Sequence, residues 1–400
     1  MTRRHDIDAL RALAFALLIL YHWCMLYVAG DDWDWHLKST HLAEWLQVPM
    51  LLVNRWRMDL VFLVSGLSVH FLLRGTSIGR FVAMRSWRLL LPLVFGMWVV
   101  VPVQPYIEGV SNGLVAPGFL EFLPRYYGHT TWPEGAFAGW EHGFTWNHLW
   151  YLAYLWIYTL AFAALLPLLR SRAGRAWERV VHGLRGWKLM LLPALPIAVE
   201  TLLLQPHFES TGDFFHDWYR NALFFTVFLY GWWLGNDTAL WAEIARLRRR
   251  TLAVAVGLFA LYLTLVKVLP DDVPAWVQNS VWLLRSIYVW SALCSILGWA
   301  HVLLNRPFRW LPWANASVFP WYVLHQSLIV LIAWWLLPLH LGAVSESLLV
   351  LGGTVLGCWA ITTLVSRVPW LRPCLGMKVR TARALPAASK SIGSLASDCQ

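Results

Sequence analysis

The chain has 400 residues, of which 58% are apolar or aromatic and only 14% are charged, against about 25% charged in a soluble domain. That balance excludes a water-soluble globule of this size, a disordered chain, a collagen and a disulfide-rich secreted module, and leaves a polytopic membrane protein. The net charge is +10, but the basic residues lie in short runs between apolar stretches. That is a membrane-topology pattern and not a nucleic-acid face.

Twenty-nine Trp suit bilayer interfaces, where the ring is apolar and its N–H stays wet. The five Cys show no CxxC, so neither a metal site nor a disulfide framework is suggested.

A spanning helix needs about 20 mostly apolar residues. Ten such stretches are predicted, at 9–29, 58–73, 89–107, 147–169, 189–205, 218–236, 251–269, 278–304, 315–337 and 346–366. The second is short, and the amphipathic residues 45–57 either extend it or lie in the interface. Pro92, Pro167, Pro193, Pro320 and Pro338 fall within or at the edges of spans, where packed neighbours satisfy the freed backbone. The expected fold is an all-α polytopic bundle over residues 1–380. The Ala- and Ser-rich tail, 381–400, is expected to be disordered.

Lys and Arg give the orientation. One set of ends holds 24 of the 32, among them Arg3 and Arg4, Arg74 to Arg88, Arg170 to Lys188, Arg246 to Arg250, Arg306 and Arg309, and Arg367 onward. The other set holds only Lys38, Arg125, Arg55 and Arg57. The positive-inside rule then makes both termini cytoplasmic, and an even number of spans agrees. Of the outer loops, 30–44 is acidic and aromatic, and 108–146, the longest, is rich in Gly, Trp and Tyr. They suit sugar stacking, or simply form an interfacial aromatic belt.

Charges in hydrocarbon are costly, so each intramembrane ionisable residue is a functional hypothesis. Arg11 and His22 lie eleven residues apart in the first span, about 16 Å along the axis and roughly 20° around it, hence on one face. Asp8 precedes Arg11 by three, which allows an ion pair. The plainer reading makes Arg11 an interfacial anchor and His22 a packing residue.

Ser65 and Asp59 in the second span, Asn147 and His148 in the fourth, Glu200, Arg285, and His325 with Gln326 add to the buried polar set. Together they look like a lined cavity. Arg85 and Arg88 are i, i+3 neighbours. A guanidinium pair there suits a phosphate-bearing ligand, or is plain positive-inside topology. No Walker loop, GxSxG elbow or HExxH occurs.

Several segments together resemble the acyltransferase 3 family. DIDALRALAFALLILYH, with Arg11 and His22, is similar to its first helix. RMDLVFLVSGLSVHFLL, with Phe62–Gly66, is similar to its second, and RSWRLLLPLVFG to the Arg-x-x-Arg start of its third. NHLWYLAYLWIY, YVLHQSLIV and the closing RPCLGMK resemble later elements. The likeness spans residues 6–378. Within the family, NRWRMDLVFLVSG and HLWYL most resemble the branch containing the periplasmic glucan succinyltransferase.

The resemblance implies a multi-pass enzyme of the cell membrane, inner or plasma. It would move an acetyl or succinyl group from cytoplasmic acyl-CoA to hydroxyls of a cell-envelope glycan or related acceptor, with no metal and no nucleic acid. His22 would be the general base or an acyl-carrying nucleophile, with Arg11 orienting the donor or stabilising charge. Arg85 and Arg88 would hold CoA phosphates, with Asp8, Ser65, His148 and His325 in support. The other reading of ten polar-lined spans is a transporter or flippase of a sugar or lipid-linked glycan. The absence of internal symmetry argues against it.

Overall fold

The computed structural model describes residues 4–378 apart from 209–211, 236 and 271. Its first half contains α1 (His5–Met25), α2 (Gln47–Asn54), α3 (Arg57–Leu72), α4 (Ile78–Phe95), α5 (Val103–Ser111), α6 (Phe119–Tyr127) and α7 (Trp150–Leu169). The second half contains α8 (Arg172–His182), α9 (Gly186–Leu191), α10 (Ala194–Leu204), α11 (Trp218–Leu234), α12 (Thr238–Val268), α13 (Ala275–Leu304), α14 (Leu311–Leu336) and α15 (Ala343–Arg367). Among the described residues the only β pairing is an isolated bridge between Val28 and Ala43. In hydrocarbon a helix satisfies its own backbone, and an open strand does not.

Among the described residues, eight segments are long and apolar enough to cross a membrane: His5–Met25, Ile78–Val100, Asn147–Leu169, Gly186–Leu204, Thr238–Val268, Ala275–Leu304, Leu311–Leu339 and Ala343–Arg367. The other two of the ten expected spans form shorter helices, α3 of 16 residues and α11 of 17. These two pack against each other with their backbones touching. A Cβ on Gly66 would lie 1.9 Å from the Phe228 carbonyl oxygen, and one on Gly231 would lie 2.0 Å from that of Leu63. Small residues permit such close approach between membrane helices. The Gly of the Phe-x-x-Ser-Gly element therefore serves packing, while its Ser65 faces α7.

Pro92 lies inside α4 and lacks the N–H that a regular helix would use. The chain opens into a π-helical turn at Gly96–Val100 just beyond it. Such widened turns release carbonyls from the regular ladder, and the Val100 oxygen accepts a hydrogen bond from Ser327 of α14 at 2.8 Å.

At the end of α1 far from the arginine runs, Lys38 donates to the carbonyls of Met25 and Val28 at 2.8 and 3.1 Å. A cation there suits the negative end of the helix dipole, although burial lowers the pKa of the ammonium. Residues 108–146 fold into a small unit with its own core of Val115, Phe122, Tyr126, Trp132 and Phe137. The aromatics of that loop largely pack on one another: the rings of Phe122 and Trp132 lie 5.1 Å apart. The expected tail, 381–400, lies outside the described residues.

Candidate active site

Two polar regions lie one beyond the other along α1. The first is a cavity of about 740 Å³ at the Arg-rich end. Among the described residues, six cations line it (Arg4, Arg11, Arg85, Arg88, Arg372 and Lys378) against one carboxylate, Asp8, a balance that suits an anion. Arg11 donates to Asp8 at 3.2 Å and to Asn315 of α14 at 2.5 Å. Arg85 is 8% exposed and reaches Thr159 only at 3.5 Å. The Nε atoms of Arg85 and Arg88 are both shielded and lack an acceptor. Ser65 and the Tyr151 hydroxyl share a 2.6 Å hydrogen bond at the wall of the cavity.

The closing RPCLGMK segment contributes Arg372, Gly376, Met377 and Lys378 to the same wall. Gly376 has φ +69°, and a Cβ there would meet Phe319 at 2.8 Å. Only glycine makes this turn without strain.

The second region is a histidine cluster. His22 Nδ1 and His325 Nε2 lie 2.8 Å apart. The His325 and His148 rings meet edge to face at 5.1 Å between centroids. The partners fix which nitrogen carries each proton. His325 Nδ1 faces the carbonyls of Tyr322 and Trp321 at 2.8 and 3.1 Å, so it must donate. Its Nε2 then accepts, and His22 Nδ1 is the donor. The lone pair of His22 is thereby assigned to Nε2, for which no hydrogen-bond partner is found among the described residues.

His148 Nε2 likewise donates to the Val323 carbonyl at 3.2 Å, and its Nδ1 accepts from Gln104 at 3.3 Å. The chain of hydrogen bonds continues outward. Gln104 Oε1 accepts from Gln326 at 3.0 Å, and Gln326 also donates to His36 Nε2 at 2.8 Å. His36 Nδ1 then donates to Glu108. Glu108 also accepts from the Ala138 amide at 2.8 Å, which ties the folded 108–146 unit to the network. Asn147, with φ +47°, turns the chain into the 3₁₀ turn that carries His148. Asn is among the few residues that adopt this conformation readily.

Three rings separate the two regions. Phe15 lines the cavity and packs edge-on against Tyr322 at 5.4 Å and Tyr151 at 6.0 Å. Tyr322 in turn contacts His148 at 5.7 Å and His325 at 6.0 Å. Of the residues singled out in the sequence, Asp8, Arg11, Ser65, Arg85 and Arg88 line the cavity, whereas His22, His148 and His325 do not. The single polar cavity expected from Arg11 and His22 sharing a face is instead a cavity at Arg11 and a separate histidine cluster at His22, because Phe15, one turn beyond Arg11, fills that face.

Asp59, Glu200 and Arg285 join neither region. Arg285 donates to Gln205 and, at 3.1 Å, to Tyr219. Glu200 accepts from Thr226 at 2.5 Å. Sequence reasoning passed over Asn315, Gln104, His36 and Glu108 as site residues. Only His36 carried a signal in the sequence, as a histidine inside the acidic, aromatic outer loop.

A family model described as an acyltransferase domain, that of the acyltransferase 3 family, matches residues 4–363. A search of curated proteins and a search of solved structures each return no match.

Proposed function

The chain belongs to the acyltransferase 3 family, and we propose that this multi-pass membrane protein transfers an acyl group from cytoplasmic acyl-CoA to a hydroxyl of a cell-envelope glycan or related acceptor. The acyl group is acetyl or succinyl, and the membrane is the inner or plasma membrane. The orientation follows from the basic runs: the Arg-rich cavity opens to the cytoplasm and the 108–146 unit lies outside. The observation that carries the reading is the His22–His325 pair, which leaves the lone pair on His22 Nε2.

In this reading the CoA phosphates sit on Arg85 and Arg88, whose unpaired N–H groups lack an acceptor, with Arg372 and Lys378 beside them. Guanidinium pairs suit phosphate geometry. Arg11, held by Asp8 and Asn315, orients the donor. The pantetheine arm spans the distance from Arg11 to His22, about 16 Å along α1. Passage requires the rings of Phe15, Tyr151 and Tyr322 to part.

His22 Nε2 takes the proton of the acceptor hydroxyl as the oxygen attacks the thioester carbonyl carbon. The tetrahedral intermediate expels the CoA thiolate, which recovers the proton from His22 Nε2–H. The products are an acyl ester and free CoA-SH. His325 holds the tautomer of His22, the role that the buried carboxylate has in a Ser-His-Asp triad.

The test is acyl transfer in membrane vesicles with labelled acetyl-CoA and succinyl-CoA. Label on envelope carbohydrate with the wild type, and its absence with inserted His22→Ala, is the expected result. Full transfer by His22→Ala removes the base from the mechanism. Absence of transfer by a folded wild type with both donors removes these two acyl donors from the reading.

A further inference from the structure

Attack on a thioester places negative charge on the carbonyl oxygen, and the largest catalytic term usually comes from a preorganised donor at that point. Resting on the acyl-transfer reading above, the site beside His22 must contain one. The histidine cluster does not supply it, since its N–H groups are already used. His22 Nδ1 donates to His325, His325 Nδ1 to two carbonyls, and His148 Nε2 to Val323. Gln104 donates to His148 and Ser327, and Gln326 to Gln104 and His36. Arg11 is engaged with Asp8 and Asn315 in the other compartment.

One cation beside His22 is differently placed. Arg57, the first residue of α3, lays its guanidinium on the ring of Tyr21, the residue before His22, with Cζ 3.3 Å from the centroid. Its Nε and Nη1 are shielded from solvent and have no acceptor. Among the described residues no carboxylate pairs with it within 4.0 Å.

Shielded guanidinium N–H groups without an acceptor or a counter-charge are costly, and each such orphan group needs an explanation. The stack on Tyr21 explains the position of the group. It uses the face of the guanidinium and leaves the N–H groups, which point along its edge, without partners. The plane is fixed and the donors are vacant, which is the arrangement an oxyanion site requires.

We propose that Arg57 is a catalytic residue, whose guanidinium donates to the thioester carbonyl oxygen as it becomes an oxyanion. As the acceptor oxygen bonds to the carbonyl carbon, the C=O π pair moves onto oxygen beside Arg57. It returns when the C–S bond breaks and the thiolate leaves. Arg57 exchanges no proton and is unchanged at the end.

The experiment uses the full chain reconstituted in vesicles that contain envelope carbohydrate, with labelled acyl-CoA. A CoA thioether analogue measures donor binding separately. Arg57→Ala is expected to lower turnover by about a hundredfold or more, with affinity for the analogue within threefold of wild type, and added guanidinium is expected to restore part of the rate. Arg57→Lys, which keeps the charge but not the planar stack, is expected to fall between them. Should Arg57→Ala prove unstable, Tyr21→Leu gives the second arm: it frees the guanidinium and should lower turnover without weakening the analogue.

Turnover within threefold of wild type in inserted Arg57→Ala overturns the proposal. So does a loss of analogue affinity that matches the loss of rate, since that marks ground-state binding. Failure of guanidinium to rescue a folded Arg57→Ala also overturns it. These results leave the acyltransferase reading intact wherever the wild type transfers label and His22→Ala does not. An inactive wild type removes that reading instead.

Discussion

The Arg-rich cavity and the histidine cluster are both polar sites within one apolar bundle, and they are built in opposite ways. The cavity has six cations against one carboxylate, and guanidinium nitrogens of Arg85 and Arg88 lack acceptors. The cluster is nearly closed on itself: His325, His148 and His36 each give one proton and accept one, and His22 gives one to His325 and keeps the lone pair of Nε2 without a partner among the described residues. An unsatisfied, charged site is complementary to something absent from it, and a satisfied, neutral one is preorganised. In the proposed mechanism binding and chemistry fall on the two sides of the Phe15–Tyr151–Tyr322 partition.

The largest effect is expected at His22. His22→Ala is expected to lower acyl transfer by roughly 10²–10⁴-fold, the usual contribution of a general base, while affinity for a CoA analogue stays within experimental error. A parallel loss of affinity would merge the two compartments. Next is His325→Phe, which keeps a ring and removes the acceptor that sets the His22 tautomer. Transfer should fall about a hundredfold with an altered pH profile, and an unchanged profile would show that His325 only packs.

On the other side of the partition, replacing both Arg85 and Arg88 with Ala should weaken CoA binding by roughly 10²-fold or more, at about 1.5–3 kcal/mol per charge-assisted hydrogen bond. Single-turnover chemistry on bound donor should persist. Titration with the CoA thioether analogue at low and high salt measures this effect.

Gly66→Ala tests the frame that holds both regions. The added methyl collides with the Phe228 backbone, and overpacking of this kind costs about 1–3 kcal/mol, read as a lowered midpoint of thermal unfolding in detergent. The smallest effect is expected at the outer end of the network. Glu108→Gln keeps one acceptor oxygen for His36 and gives up the one that holds the Ala138 amide, so transfer should change by less than about tenfold. A larger loss would mean that the charge of Glu108 or its hold on the 108–146 unit is used.

Helix content was legible because crossing hydrocarbon demands long apolar runs, and eight of the ten predicted spans have that length and composition. α3 and α11, at 16 and 17 residues, fall short in length and pack against each other at Gly66 and Gly231. A one-dimensional hydropathy pattern carries no record of that contact. The residues of the cavity were partly legible: Arg85 and Arg88 stand out by spacing, and Arg11 by its charge within a span. Asn315, which orients Arg11, did not, since a lone Asn carries no pattern.

By itself the sequence determined the class of protein. Apolar length, the clustering of basic residues and the ordered motifs of the acyltransferase 3 family are all properties that survive without knowing which helices touch. Tertiary structure alone decided that, of Arg11 and His22 on one face of α1, only Arg11 lines the cavity. It also decided that His22 meets His325, 303 residues away, and that Arg57 lies on Tyr21. The physical reason is that a ring such as Phe15 can divide a helix face, and that the proton position on an imidazole depends on its partner. Both depend on which neighbour packing brings within about 3 Å, the range of a hydrogen bond.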